Sequence, residues 1–329
     1  MNPRIYGSVV LLVLAVLFGP AWGQPPASPA ATPGYVVDPT WPQKPAGVIW
    51  KAMPGVTVDS RDNVYLFTRS QPAVQIYRPD GRLVRSWPTQ DFKQSHFIRI
   101  GPEGNVWLTD FGSHVVQKYT PDGKLLLTLG TAGQSGCDAT HLKGPTDVAV
   151  LPGGDVFVSD GYGNRRVVHF DARGRFVKQW GTEGDLPGQF ALPHAIAADS
   201  KGLLYVADRN NARVQVFDQS GKLLSVWKDT ITPWGIFITC SDEIWICGSS
   251  PVRNKDDHWQ IAPPPDQVVM KFNRAGRVLL RLPLATISTP PGKPGEVDWV
   301  HALAVDSKGS LYLGDIQGKR AQKFVPRKR

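Results

Sequence analysis

The chain has 329 residues, a formal net charge of +9 at pH 7 and three cysteines. Three cysteines exclude a dense disulfide framework, and the length allows either two ordinary domains or one closed ring of repeats. The net positive charge favours binding to anionic ligands or surfaces and does not indicate the fold.

The N-terminal region predicts a removable signal followed by a leader. The apolar run at 9–18 is too short to span a membrane comfortably, and residues 21–23 form a small-x-small pattern typical of a cleavage site. We therefore predict a signal peptide over 1–23 and a secreted or periplasmic protein, with no stable membrane insertion after cleavage. An uncleaved anchor is the alternative. The Pro- and Ala-rich segment 24–34 predicts a flexible leader.

The remainder of the chain contains six copies of one repeat. Each copy has a short alternating apolar run, a turn rich in Gly, Asp, Asn or Ser, and a second strand of β-branched and aromatic residues. The six inner hairpins occupy 55–69, 97–111, 147–161, 195–209, 235–249 and 302–316. A second strand pair usually follows, as in RVQVFDQSGKLLSVW (213–227), so that one unit is four antiparallel strands.

Such a unit, repeated every 40 to 50 residues or so, is typical of a β-propeller blade. Packing blades around an axis buries faces that a single blade leaves exposed. We therefore predict an all-β fold, a six-bladed β-propeller in a single domain over 35–329. The last copy ends one strand short after 323–326, and we expect the segment 34–41 to supply the missing strand and close the ring.

The cysteines do not predict a metal site or a bridge. None of Cys137, Cys240 and Cys247 has the Cys-x-x-Cys spacing of structural zinc. Cys240 and Cys247 flank one turn at unequal distances, which puts them out of register for a direct cross-strand disulfide. We predict that these two are buried free thiols.

Three of the seven histidines fall at one position of the repeat, in every second copy. His96, His194 and His301 each lie fourteen residues before the Asp that closes the second inner strand. We call this position the metal register; in the other copies it holds Pro54, Thr146 and Trp234. Alternate blades of a six-bladed ring stand about 120° apart, so the three imidazoles would converge on one ion and leave its fourth position open. We expect the other four histidines to serve packing or surface roles.

Two arginines share a second register, directly after the second inner strand. Arg69 lies in copy one and Arg209 in copy four, which are opposed blades of the predicted ring. Two guanidinium groups over the same channel would suit bidentate capture of a carboxylate. From the residues alone, two ordinary surface arginines are an equal alternative.

Copies three and four resemble a known family. The segments PTDVAVLPGGDVFVSDGYGNRRVVHFDARGRFVKQWG (145–181) and GQFALPHAIAADSKGLLYVADRNNARVQVFD (188–218) resemble NHL repeats. Within that group they are similar to the peptidyl-α-hydroxyglycine α-amidating lyases, and the similarity extends over all six copies. NHL repeats alone indicate little about function, because the same scaffold serves binding modules of many kinds.

The resemblance implies a zinc ion on His96, His194 and His301. It implies a proton-transfer role for Tyr162 in SDGYGN (159–164) and contacts from Arg69 and Arg209 to the substrate carboxylate. The implied reaction breaks the N–C bond of an α-hydroxyglycine-like carbinolamide and yields an amide and glyoxylate.

The family also has a structural calcium, and its acidic ligand directly follows the third histidine. Here that position is Ala302, which removes a charged oxygen ligand that this hard cation favours. Backbone carbonyls at Val56 and Ile98 would still be available.

Two other functions fit the same sequence. A propeller hydrolase such as a lactonase would use a metal-bound water as the nucleophile, whereas a non-catalytic NHL module would bind a ligand or protein beside a vestigial metal site. Tyr162 together with the paired arginines favours an enzyme, because a binding module needs neither. We expect a monomer that takes a small-molecule or peptide substrate with a carboxylate, and no nucleic-acid partner.

Overall fold

Six four-stranded antiparallel sheets make up nearly all of the structure. The computed structural model describes residues 34–88 and 91–327. The predicted signal peptide and all but the last residue of the predicted leader lie outside these ranges. Each sheet is one blade, and the innermost strand of each blade contacts the innermost strands of the blades before and after it. Because the innermost strand of the sixth blade also contacts that of the first, the ring is closed, as the repeats predict.

The blades follow one another along the chain. Blades 1 and 2 comprise Gly55–Val58, Val64–Phe67, Val74–Tyr77 and Leu83–Ser86, then Ser95–Ile100, Val106–Asp110, Val115–Tyr119 and Leu125–Leu129. Blades 3 and 4 comprise Asp147–Val150, Val156–Asp160, Arg166–Phe170 and Phe176–Trp180, then Pro193–Ala198, Leu204–Asp208, Arg213–Phe217 and Leu223–Lys228. Blades 5 and 6 comprise Thr232–Ile238, Ile244–Ser249, Val268–Phe272 and Val278–Pro283, then Val300–Val305, Leu311–Asp315, Arg320–Pro326 and Tyr35–Asp38.

The remaining elements are short. They are the parallel pair Ala285–Thr286 and Glu296–Val297 and the 3-10 turn Arg209–Asn211. Within the described ranges, no helix has the length and apolar character needed to cross a membrane.

The core lies between the blades. The second strand of every blade is buried along its whole length, whereas an outermost strand such as Leu83–Ser86 is exposed throughout. Val, Ile, Leu and aromatic residues of neighbouring blades interdigitate in these buried layers. A single blade has no other means of covering both faces, so closure of the ring stabilises every blade at once.

The N-terminal strand completes blade 6. Tyr35–Asp38 pairs antiparallel with Arg320–Pro326 and forms the fourth strand of that sheet, as predicted for the segment 34–41. The hydroxyl of Tyr35 donates a hydrogen bond to the carbonyl of Gly309 at 3.1 Å. The two ends of the described chain are thereby held together in one blade.

The Asp that closes the second strand has a structural role in four blades. Asp110, Asp160, Asp208 and Asp315 are buried and accept hydrogen bonds from backbone amides that lead into the innermost strand of the same blade. In blade 2, the carboxylate of Asp110 accepts from the amides of Lys93 and Gln94, both at 2.7 Å. Such bonds satisfy a buried carboxylate and fix the start of the strand that carries the metal register.

The cysteines only partly follow the prediction. All three are free thiols, and Cys247 is buried, where desolvation raises the pKa of its thiol to about 12. Cys240 is exposed, so the prediction that it is buried is wrong. The residue lies at the turn between the first two strands of blade 5, beyond the last buried position of its strand.

We expect the closing strand to contribute measurably to stability. Val37 packs against the apolar cluster of blades 5 and 6, whereas the neighbouring Val36 is 37% exposed on the opposite face. Val37→Asp should lower Tm by about 5 °C, because it places a charge against apolar side chains. Val36→Asp is the matched control and should change Tm little. Equal Tm values for the two variants in a calorimetric scan would contradict this role for the strand.

Candidate metal centre

The three predicted histidines lie at the start of the innermost strands of blades 2, 4 and 6. At each of them the pairing with the second strand is interrupted: in blade 4, Pro193 pairs with Asp208 and Ala195 with Ala207, which leaves His194 between them unpaired. The register shifts in the same way at His301, and in blade 2 a wider shift leaves both His96 and Phe97 between paired positions. A bulge of this kind re-aims a side chain.

The structure brings these three side chains together. One ring nitrogen from each lies within 4.8 Å of the other two, and the ring centroids are 4.6 to 4.9 Å apart. His96, His194 and His301 are all fully buried. The prediction of convergence from alternate blades is therefore confirmed.

Each imidazole is fixed by a hydrogen bond to the next blade. The Nδ1 atoms of His96 and His194 lie 2.6 Å from the carbonyl oxygens of Thr146 and Trp234. That of His301 lies 2.7 Å from the carbonyl of Pro54. A carbonyl only accepts, so Nδ1 carries the proton and donates, and the lone pair resides on Nε2. The three acceptors are the residues that occupy the metal register in the other blades.

Burial keeps the imidazoles neutral. Desolvation lowers the pKa of His301 to about 3, and it lowers the pKa of His96 and His194 well below the ordinary value. Neighbouring imidazoles and Arg209 lower the pKa of both His96 and His194 further, and Arg69 also lowers that of His96. Neutral imidazole is the form that binds a metal.

Tyr162 closes the cluster on one side. Its hydroxyl lies 2.9 Å from Nε2 of His96, to which it donates, and 3.3 Å from Nε2 of His194. Nε2 of His301 is buried and has no hydrogen-bond partner among the described residues. An unpartnered buried nitrogen is costly, and a metal ion would satisfy it. Three neutral imidazoles whose ring nitrogens converge, one of them unpartnered, therefore fit a divalent ion such as zinc.

The two predicted arginines flank the same site. The backbone amide of Arg69 donates to the carbonyl of Ala52, and that of Arg209 donates to the carbonyl of Leu192. The Arg209 guanidinium lies 4.5 Å from the centre of the Trp234 ring, and the Arg69 guanidinium lies 5.5 Å from that of Phe111. Within residues 34–88 and 91–327, neither arginine pairs with a carboxylate.

A cavity of about 300 Å³ joins these groups. Its walls are Arg69, Phe111, Tyr162, Arg209, Trp234, Trp299, His301, Ile316 and Gln317. His96 and His194 do not line it and lie beside the Tyr162 hydroxyl. We call this space the metal-site cavity. All six residues predicted from the sequence thus meet in one place.

The electrostatics of the cavity favour an anion. Burial raises the pKa of the Tyr162 phenol, and the nearby guanidinium groups of Arg209 and Arg69 oppose that rise. Burial also lowers the pKa of both arginines, which nevertheless stay charged because the guanidinium pKa is so high. The site therefore has two cations, a neutral phenol and neutral imidazoles, and no carboxylate is among the described residues of its walls.

Several wall residues were not predicted. Phe111 and Ile316 occupy the register of the two arginines, directly after the second strands of blades 2 and 6, and extending that register to every blade would have found them. Trp234 occupies the metal register in blade 5. Trp299 and Gln317 have no repeat signal that distinguishes them from other loop residues.

The position of the family's calcium does not offer a suitable ligand set. Ala302 is buried and has only a methyl group. The only carboxylate on the innermost strands, Asp147, accepts a hydrogen bond from Nε of Arg99 at 2.9 Å and pairs with its guanidinium. That guanidinium lies 4.9 Å from the centre of the Phe97 ring, which in turn packs against His301. A resident cation already neutralises the one acidic group available here.

We therefore expect calcium to have little effect on stability. Millimolar calcium should shift Tm by less than about 1 °C, because Ala302 stands where an acidic calcium ligand would be needed. The measurement is a thermal scan of chelator-treated protein with and without calcium, with magnesium as the control. Stabilisation by several degrees at micromolar calcium would overturn this expectation.

Known proteins resemble the chain at two levels. The NHL repeat profile matches residues 142–170 and 190–217, within blades 3 and 4. The chain is 30% identical to peptidyl-glycine alpha-amidating monooxygenase B of Xenopus laevis over 75% of its own length and 28% of that relative. It is 32% identical to the probable peptidyl-alpha-hydroxyglycine alpha-amidating lyase pgal-1 of Caenorhabditis elegans over 60% of its length and 53% of that relative. The chain spans less than a third of the amidating monooxygenases that it matches.

Two further comparisons bear on the fold and the family. Virginiamycin B lyase from Staphylococcus aureus superimposes with a TM-score of 0.54 at 16% identity, over 86% of this chain and 88% of that one, which supports the propeller fold alone. NHL repeat-containing protein 3 of Homo sapiens is 30% identical over 89% of this chain and 84% of its own. The chain therefore belongs to the NHL-repeat protein family, and its relatives include peptidyl-α-hydroxyglycine α-amidating lyases.

Proposed function

We propose that this protein is an exported zinc-dependent lyase that cleaves the N–C bond of peptidyl-α-hydroxyglycine-like substrates. The observation that carries the proposal is the meeting of three kinds of group at one cavity: three neutral histidines, the Tyr162 hydroxyl and two arginines without carboxylate partners. The names of the relatives support the same reaction. A site that only bound a metal would need neither the phenol nor the arginines.

Zinc is the ion that these ligands suit. Neutral imidazole nitrogens favour zinc among the common divalent ions, and three protein ligands leave a position open for substrate. His96, His194 and His301 would hold it through Nε2, since each Nδ1 is already bonded to a carbonyl. Zinc held by these three residues would supply a Lewis acid beside the cavity.

The arginines would bind and orient the substrate. The carboxylate of an α-hydroxyglycine becomes the carboxylate of glyoxylate, so it is present before and after the bond breaks. Arg69 and Arg209 approach the cavity from opposed blades and can each donate to it. The aromatic faces of Phe111 and Trp234 fix the two guanidinium planes, which reduces the freedom lost on binding.

Tyr162 would move the proton. Formation of the glyoxylate carbonyl removes a proton from the substrate hydroxyl, while the C–N electron pair passes to the amide nitrogen, which gains a proton. Burial favours the neutral phenol of Tyr162, and a neutral phenol can accept the first proton while it gives its own to the departing nitrogen. The atoms balance without water, which separates this reaction from hydrolysis.

We expect purified protein to contain about one zinc per chain, because three neutral imidazoles converge. His194→Ala should lose most of it, since two remaining ligands bind zinc weakly. His258→Ala is the matched control, because His258 is exposed and lies outside the metal register. Elemental analysis checks the expectation, and undiminished zinc in His96→Ala, His194→Ala and His301→Ala alike would refute the site.

We expect zinc-loaded protein to release glyoxylate from N-acyl-α-hydroxyglycines. Tyr162→Phe should lower kcat by roughly a hundredfold or more and keep its zinc, because it removes a proton-transfer group and no ligand. Glyoxylate is measured colorimetrically, alongside a lactone panel. Zinc-replete protein that forms no glyoxylate above background is not this lyase; turnover of lactones in the same experiment would identify a hydrolase, and inertness toward both would favour a binding module.

Removing either cavity arginine should weaken catalysis with substrates that carry a carboxylate. Arg69→Ala and Arg209→Ala should each lower kcat/KM for carboxylate-bearing substrates by about 10- to 100-fold, because a charged hydrogen bond is lost in a buried site. Arg277→Ala, an exposed residue in a turn of blade 5, is the control. Normal kinetics of both cavity variants would exclude them from carboxylate binding.

A further inference from the structure

A second cavity lies beside the metal-site cavity, and Arg69 lines both. This space of about 830 Å³ lies between the entry to blade 1 and the entry to blade 2. Its walls include Lys51, Arg69 and Lys93, together with the apolar Ile49 and Phe92. We call it the basic groove. Arg69 also lines the metal-site cavity, so the two spaces adjoin at this residue.

The charge of the groove has one sign. Three cations line it, and none of its described wall residues is a carboxylate. Lys51 and Lys93 are exposed, and neither forms an ion pair in the part of the chain that the structure describes. Asp91 is close along the chain but is exposed and does not line the groove.

The buried carboxylate of Asp110 is engaged by other groups. Asp110 is only 2% exposed, and its oxygens accept from the amides of Lys93 and Gln94 and from the hydroxyl of Ser113. It therefore holds the backbone of the groove wall while the Lys93 side chain stays free of it. The lysine charges are left available for a ligand.

The other arginine does not connect to a comparable space. A groove of about 780 Å³ lies beyond Arg209, but it shares no wall residue with the metal-site cavity. Its walls mix cations with Glu183, Asp185 and Asp229. The guanidinium of Arg209 is covered by Trp234, and its Nε donates to the side chain of Asn210. Among the described residues, the groove that adjoins the metal-site cavity at an arginine is therefore also the one whose walls carry no carboxylate.

We propose that the basic groove binds an acidic side chain in the acyl part of the substrate, so that the lyase prefers acidic peptidyl-α-hydroxyglycines. This inference rests on the proposed function, and it adds the substrate class. A carboxylate one or two residues before the hydroxyglycine would pair with Lys51 and Lys93, while the peptide's apolar atoms contact Ile49 and Phe92. The volume of the groove is within the range of about 300 to 1,000 Å³ that small ligands occupy.

The test compares substrates that differ only in charge. Zinc-loaded full-length protein is assayed with acetyl-Glu-α-hydroxyglycine and acetyl-Gln-α-hydroxyglycine, and with the same pair extended by one alanine before the hydroxyglycine. We expect kcat/KM to be higher for the Glu substrate of at least one pair by about two- to fivefold for each lysine engaged. The preference should shrink as salt is raised from low ionic strength, because exposed charges are screened.

Variants of the two lysines assign the preference to the groove. In Lys51→Gln/Lys93→Gln the ratio of kcat/KM between Glu and Gln substrates should approach one. In Lys51→Glu/Lys93→Glu it should invert, and acetyl-Lys-α-hydroxyglycine should become the better substrate. Lys124→Gln removes the same charge from an exposed turn of blade 2 outside the groove, and it should leave both the ratio and the rates unchanged.

A binding arm separates this inference from the lyase proposal. Acetyl-Glu-amide and acetyl-Gln-amide need no turnover, and their affinities are measured by titration calorimetry on wild type and Lys51→Gln/Lys93→Gln. Tighter binding of the acidic amide that depends on the lysines would support the groove even if no glyoxylate formed from any substrate. Equal kcat/KM for Glu and Gln substrates, or a preference unchanged in the double variant, would overturn the groove while leaving the lyase intact.

Discussion

The site depends on three hydrogen bonds that cross from one blade to the next. In each, a histidine Nδ1 donates to a backbone carbonyl of the following blade, at 2.6 to 2.7 Å. The bond fixes the tautomer and the plane of the ring, and it leaves Nε2 directed at the other two histidines. The two sets of blades therefore contribute different groups: even-numbered blades supply the imidazoles, and odd-numbered blades supply the carbonyls. Because a carbonyl is independent of residue type, Pro54, Thr146 and Trp234 perform the same task.

A second constraint is the burial of charge without a resident counter-ion. Arg69 and Arg209 are held by aromatic rings and by hydrogen bonds to neutral acceptors, which keeps both guanidinium groups in place without neutralising them. Unpaired charge in a partly desolvated cavity is costly, and binding of an anion relieves that cost. Burial is the main cause of the low pKa of His96 and His194, and the arginine charges lower it further and oppose the rise in the pKa of Tyr162. The geometry that prepares the metal ligands thus also prepares an anion site.

The fold alone would not identify this chemistry. The propeller scaffold is shared with solved lyase structures at 16% identity, and that likeness extends to the arrangement of strands only. What distinguishes this chain is which side chains its repeats place at two registers around the axis. The two arginines also differ in their surroundings, because among the described residues Arg69 lines both the metal-site cavity and the basic groove, whereas Arg209 lines the metal-site cavity only.

The sequence by itself determined the number of blades, the closing strand, the metal register and the register of the arginines. These follow from period and alternation, which repeat locally and can be aligned without knowledge of distant contacts. Only the tertiary structure decided that Nδ1 of His301 meets Pro54, a residue 247 positions away, and that the Tyr162 hydroxyl lies between two histidines. It also decided that Cys240 is exposed and that Lys51 and Lys93 share a groove. Such contacts depend on ring closure and on strand bulges, which bring together loops that carry no common pattern.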